Sequence, residues 1–170
     1  MTAGAVEFSR PFALDSLGHD AVTRRLEATP AERALLASRF GLLALDRLEA
    51  EVTLRWTAGG VLRLDGRLRA AATQRCVVSL EPVPQSIDEP FSLRYSRHAE
   101  AEGGDPESGF DPDAPEPLPA EGLDLGEEVA QALSLALDPY PRAPGARLAT
   151  DGEDEPKGAF AALRALKPKT

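Results

Sequence analysis

From Arg47 to Ala70 the chain alternates polar and apolar residues, and that period of two constrains its fold more than any other feature. Leu48, Ala50, Val52, Leu54 and Trp56 occupy one set of positions, with Arg47, Glu49, Glu51, Thr53 and Arg55 between them. After Ala58-Gly59-Gly60 the pattern resumes: Leu62, Leu64, Gly66, Leu68 and Ala70 alternate with Arg63, Asp65, Arg67 and Arg69. Successive strand residues point to opposite faces, so the segment reads as a long antiparallel hairpin with one apolar face and one charged face. The same rule sets its register, because a slip of one residue would turn every apolar side chain into water. Pairing Trp56 with Leu62 and Leu54 with Leu64 keeps the faces. It also sets Glu51 opposite Arg67 and Glu49 opposite Arg69, each pair worth roughly 0.2–1 kcal/mol. A shift of two residues would oppose Glu51 to Asp65 and leave Trp56 against Gly60. The first register is therefore expected, closed by a glycine-containing three-residue loop or bulge.

Shorter signals flank the hairpin. Val6, Phe8, Phe12 and Leu14 share even positions and suggest a first strand, which Pro11 places at an edge. Val22, Leu26 and Ala28 suggest a second. Thr29-Pro30-Ala31-Glu32 is a helix start: the Thr29 hydroxyl can accept from the Glu32 N–H, and the Glu32 carboxylate from the Thr29 N–H. Pro30 falls at the first helical position, where a missing donor is harmless. Leu35, Leu36 and Phe40 supply an apolar face, and Gly41 is the expected stop. Beyond the hairpin, Cys76, Val78 and Leu80 read as a third strand and Glu81-Pro82-Val83-Pro84 as a turn. Ile87, Phe91, Leu93 and Tyr95 return as a strand, with Pro90 marking an edge or bulge.

A second helix is signalled at Asp124, the expected N-cap, with Glu127 closing a capping-box-like pair and Glu128 completing an acidic first turn. Leu125, Val129, Ala132, Leu133, Ala136 and Leu137 share one stripe, and Pro139 ends the element. Such a helix is expected to cover one face of the sheet. The elements together predict an α+β fold: an antiparallel sheet, open or barrel-like, covered by two or three helices.

Charge is distributed unevenly along a chain of net charge -9. Arg24 to Arg75 holds ten Arg against six Asp or Glu, whereas Glu100 to Glu128 holds eleven acidic residues and no Lys or Arg. Residues 100–122 are rich in Gly, Pro, Asp and Glu without periodicity, which predicts a mobile acidic loop, disordered or functional. The expected organisation is one domain over 1–142 that includes this loop, an acidic linker over 143–157, and a short basic helix or motif over 158–170. In that last segment Phe160, Leu163 and Leu166 follow a three-residue spacing, while Arg164, Lys167 and Lys169 add positive charge. An isolated helix so short is marginal in water. It is expected to fold only against something: its own domain, an RNA or a partner protein. These six residues are the candidate partner- or RNA-binding set.

Little in the chain resembles reaction chemistry. The single cysteine, Cys76, excludes an intramolecular disulfide and fits a reducing compartment. Placed mid-strand on the apolar face, it would act as a small hydrophobe. His19 and His98 are isolated and make no zinc set with one Cys. Neither a phosphate-binding loop nor a dinucleotide fingerprint is present. No catalytic residue, metal or cofactor is therefore expected. The N-terminus has no secretory pattern, and no apolar run approaches the ~18–20 residues of a spanning helix. A cytoplasmic protein is expected, with neither membrane nor DNA as partner. Arg47, Arg55 and Arg63, less compensated than Arg67 and Arg69, are a weaker candidate basic face for RNA. Trp56 lies on the opposite face, so no stacking platform accompanies them.

Three segments carry a family resemblance. Gln74-Arg75-Cys76-Val77-Val78-Ser79-Leu80-Glu81-Pro82-Val83 resembles the Cys-containing strand and Leu-Glu-Pro turn of the YceD family, bacterial and plastid proteins linked to accumulation of large-subunit (23S) ribosomal RNA. Leu123 to Val129, running on to Leu137-Asp138-Pro139-Tyr140-Pro141, looks like the family's hallmark helix. Phe160 to Lys167 is similar to its C-terminal end. Cys76, Leu80, Glu81, Pro82, Asp124, Gly126 and Glu127 are thereby implied as structural positions of the motifs. Many relatives carry a Cys-x-x-Cys pair at the strand and a second pair after the helix. Here Ser79 stands at the second position and Arg142 to Arg147 contains no Cys, so a zinc site is not supported. The resemblance implies a non-enzymatic factor in large-subunit biogenesis that binds 23S rRNA, assembly intermediates or a large-subunit ribosomal protein. The other reading is a protein-only adaptor or chaperone for a basic ribosomal protein, without RNA contact.

Overall fold

The computed structural model describes residues 7–97 and 114–147. In chain order these form β1 (Pro11–Phe12), β2 (Val22–Glu27), α1 (Pro30–Arg39), β3 (Ala44–Trp56), β4 (Val61–Arg75), β5 (Pro82–Ser96), β6 (Glu116–Pro117), β7 (Leu123–Asp124) and α2 (Leu125–Ala136). Five strands make one sheet in the order β2-β3-β4-β5-β6, and β1 pairs with β7 apart from it. All pairings are antiparallel except β5 with β6. The sheet is open, with β2 and β6 at its edges, and does not close into a barrel.

The hairpin has the expected register: Trp56 faces Leu62, Leu54 faces Leu64, Glu51 faces Arg67 and Glu49 faces Arg69. Its loop holds Ala58–Gly60, with Gly59 at φ 79° and Gly60 at φ 72°. Only glycine enters that left-handed region without strain, and the Thr57 N–H then donates to the Val61 carbonyl at 2.8 Å. A bulge between Leu45 and Arg47 adds one residue to β3. It brings the odd-numbered Leu45 onto the buried face that Leu48 begins.

Several expectations fail for identifiable reasons. Val6 to Leu14 does not form one strand. Val6 lies outside the described residues, β1 is two residues long and pairs with β7, and Leu14 opens a short 3-10 turn. The strand expected at Cys76-Val78-Leu80 is a turn. The Cys76 N–H donates to the Glu81 carbonyl at 2.8 Å, the Leu80 N–H to the Cys76 carbonyl at 3.1 Å, and Leu80 sits at φ 64°. Pro82 to Pro84, expected as a turn, instead begins β5. Pro82, Pro84 and Pro90 all occupy even positions in a pairing with β4 that has no register shift. Their nitrogens therefore face the same side, the open edge of β5, where no ladder donor is required. Leu35, expected on the apolar face of α1, is 53% exposed; Leu36 is the fully buried residue of that helix, with Ala37 and the C-cap Phe40 partly buried against the core. Within the acidic loop, residues 98–113 lie outside the described set. Its end is ordered: β6 runs parallel to Tyr95 and Ser96, and the Leu118 N–H donates to the Ser96 carbonyl.

One face of the sheet is the core. Val52, Leu54, Leu62, Leu64 and Leu68 join Leu36 of α1 and Leu125, Val129 and Leu133 of α2 in one buried cluster. Both helices therefore serve the same face. On the other face Glu51, Arg55, Arg67 and Arg69 remain exposed.

Polar contacts fix the helices in place. Thr29 and Glu32 form the expected capping box. Arg10 reaches Glu32 with two bonds, at 2.7 and 3.0 Å. The Asp124 carboxylate caps Gly126 and Glu127 and also accepts from the Arg10 N–H at 2.7 Å and the Ser9 hydroxyl. Glu127 does not close a capping box; its carboxylate is taken by Arg39 of α1 at 2.7 and 2.8 Å.

A Cβ at Gly126 would overlap the Phe8 carbonyl oxygen, a backbone atom that cannot swing aside. Gly126→Ala is expected to destabilise the fold by about 2–3 kcal/mol in urea unfolding, whereas Gly18→Ala, with nothing within 4 Å, serves as a near-neutral control. The bond from Arg10 holds the Glu32 carboxyl down to about 2, from an ordinary 4.5. The folded value lies below the unfolded one, so this stabilisation is present above pH 4.5 and is lost as pH falls through 2. Thermal unfolding of Glu32→Gln is expected to lack that part of the acid dependence.

Candidate functional site

The Cys76 turn has the most unusual chemistry among the described residues. Its side chain has no solvent exposure, and its sulfur accepts from the N–H groups of Val78 at 3.4 Å, Ser79 at 3.3 Å and Ala143 at 3.3 Å. The Ala143 N–H first, then the Ser79 side chain and N–H, lower the thiol from 9.0 to about 6 against the opposing effect of burial. Cys76 therefore lies in a turn and not in the expected strand, while its burial is as expected. The Val77 N–H also donates to the Pro141 carbonyl at 2.9 Å, so the segment after α2 docks on this turn. The structure therefore brings Cys76 and Ser79 beside the stretch Arg142 to Arg147, where relatives are expected to carry their second pair. Among the described residues no group of three or more His, Cys, Asp or Glu is placed to hold a metal.

The remaining motif positions are structural in this geometry. Leu80 supplies the left-handed corner, the Glu81 carbonyl closes the turn and its carboxylate accepts from the Ser79 hydroxyl at 3.0 Å, and Pro82 opens β5. Asp124, Gly126 and Glu127 join the N-terminal segment and α1 to α2 through the contacts described above.

The uncovered sheet face sorts the candidate arginines. Arg47 folds back onto Glu49 of its own strand, at 2.7 and 2.8 Å, which compensates its charge. Arg67 and Arg69 turn to Asp88 at 2.6 and 3.5 Å, and Glu51 pairs with Arg25 at 2.7 Å. Towards the hairpin tip the balance differs. Arg55 faces Arg63, and Arg63 faces Arg94, so three arginines stand in one row across β3, β4 and β5. One carboxylate, Asp65, serves both Arg55 at 3.6 Å and Arg63 at 2.9 Å. Arg97 lies over the Trp56 ring at the same end, 5.5 Å from its centroid. Arg94 was missed in the sequence. Its signal was the even parity of β5, opposite in face to Ile87, Phe91, Leu93 and Tyr95. Phe160, Leu163, Arg164, Leu166, Lys167 and Lys169 lie outside the described residues. Among the described residues no helix is long and apolar enough to cross a membrane.

A family model described as "Large ribosomal RNA subunit accumulation protein YceD" matches residues 64–167, more than half of the chain. Neither a curated protein nor a solved structure gives a significant match.

The thiol makes a direct prediction. Ultraviolet titration of thiolate is expected to show a midpoint near pH 6 in the folded chain, moving towards 9.0 in denaturant. Because the folded value is the lower one, the stabilisation is present above pH 9.0 and is lost as pH falls through about 6. Cys76→Ser is expected to lose that slope in a pH series of unfolding midpoints.

Proposed function

The chain belongs to the YceD family, the large ribosomal RNA subunit accumulation proteins, and from that membership we propose that it supports 23S rRNA accumulation as a non-catalytic factor that contacts large-subunit rRNA directly. The observation that carries this reading is the row Arg55–Arg63–Arg94 on the open sheet face. Arg55 and Arg63 stand directly opposite each other and share one carboxylate, Asp65; like charges so placed destabilise a sheet, and a phosphate would relieve that. Neighbouring strands lie about 4.8 Å apart, which spaces the guanidiniums as a comb for successive anionic oxygens. Arginine suits this role because its planar fork donates two parallel bonds to one phosphate.

A second reading, the protein-only adaptor, is favoured by the rest of the same face. Arg25, Arg47, Arg67 and Arg69 are there matched by Glu51, Glu49 and Asp88, which leaves little for a polyanion beyond the row.

A salt titration of binding to 23S rRNA fragments separates the two. If each arginine of the row meets one phosphate, replacing all three by Ala is expected to flatten the slope of log K against log salt by about 2. Thermal unfolding of the triple variant checks that the fold survives. An unchanged slope would reject the row as the contact, and no binding by the native chain at low salt would favour the adaptor.

A further inference from the structure

We propose that the groove between α2 and the open edge of β5 is a docking site for this chain's own basic C-terminal segment, Phe160 to Lys169. The groove is about 600 Å³ in volume, with Phe91, Leu93 and Leu135 among its apolar lining and Glu89, Glu116 and Glu128 among its polar lining. None of the described residues lining it is Lys, Arg or His. Leu135 is 88% exposed, a large apolar side chain at the groove with no cover among the described residues. Glu128 is held partly inside: burial raises its carboxyl above the usual range, against the opposing effect of a hydrogen bond from Tyr95.

The C-terminal segment supplies what the groove lacks. Phe160, Leu163 and Leu166 match an apolar floor, and Arg164, Lys167 and Lys169 match a rim of three carboxylates. From Lys157 to Thr170 there is no Asp or Glu to oppose that fit. The distance is also suitable. The last described residues dock on the Cys76 turn just beyond the end of α2, and the Gln85 side chain of β5 donates to the Ala136 carbonyl at that end. About thirteen residues lead from Arg147 to Phe160, and a flexible chain of that length has a root-mean-square reach of about 20 Å. Tethering of this kind gives a millimolar effective concentration, so even a weak contact is populated within one molecule. It also meets the need of a segment too short to hold a helix alone. This inference rests on the groove and the tail, and stands or falls apart from the arginine row.

The sequence provides an unusually clean test, because its three lysines are Lys157, Lys167 and Lys169, all in or next to this segment. Zero-length carbodiimide coupling of the full-length protein at low concentration therefore reports, through every lysine–carboxylate amide, where the segment lies. Mass mapping of the monomer band is expected to place the links from Lys167 and Lys169 mainly on Glu89, Glu116 and Glu128. Leu135→Asp, an exposed substitution that leaves the core intact, is expected to reduce those links about tenfold relative to native. Links confined to the dimer band would assign the groove to a second copy and overturn the proposal. So would links limited to the neighbouring acids Asp151 to Glu155, links spread equally over the outer face, or links unaffected by Leu135→Asp.

Discussion

The fold depends on β4 having a neighbour on both sides over nearly its whole length while presenting apolar residues on one face. β4 is paired with β3 from Leu62 to Thr73 and with β5 from Val61 to Arg75. Leu62, Leu64, Leu68, Ala70 and Ala72 are therefore buried together, and a one-residue slip in either pairing would set the apolar faces of the paired strands against each other. Gly66 interrupts that row, and the Phe91 ring from β5 fills the space its missing side chain leaves, so close that a Cβ there would collide with the ring. The registry of three strands is thus set by the hydrophobic effect. Exposed charge pairs contribute comparatively little.

That ranking explains why one inference from charge succeeded and another did not. Glu51 does stand opposite Arg67 and Glu49 opposite Arg69, as the apolar pattern required. Yet Glu51 pairs with Arg25 of β2, and Arg67 with Asp88 of β5. Long side chains on a wet face choose among several neighbours at similar energy. Register therefore predicts where charges stand, and a further strand on each side decides which of them meet. The Arg55–Arg63–Arg94 row arises the same way: two of its members were visible within the hairpin, and the third required knowing that β5 pairs with β4 under an unshifted register.

Legibility followed the range of the interaction. The capping box at Thr29, the hairpin and the Asp124 cap are local patterns, and each was readable from residues within a few positions of one another. The bonds from Arg10 to Glu32 and Asp124, and from Arg39 to Glu127, join segments distant in sequence, and no local pattern announces them. The Cys76 turn misled for a different reason. Cys76, Val78 and Leu80 alternate by coincidence, while the decisive element is a docking partner more than sixty residues away, the Ala143 N–H. Proline misled as well, because Pro82 and Pro84 break a central strand but are harmless in one whose second edge is mostly open.

Direct contact with rRNA, as proposed, would bring a chain of net charge -9 to a polyanion against its own field. Screening makes the approach possible. At physiological ionic strength the Debye length is about 8 Å, so a phosphate beside the arginine row responds mainly to charges within a strand or two of it. Asp65 is inside that radius and is already engaged by Arg55 and Arg63. The groove carboxylates Glu116 and Glu128 belong to the other side of the sheet, where both helices pack, and face away from the row. The arginine row and the groove carboxylates therefore lie on opposite faces of one thin layer. A basic segment and an anionic backbone can then be held by the same small domain without competing for the same side chains.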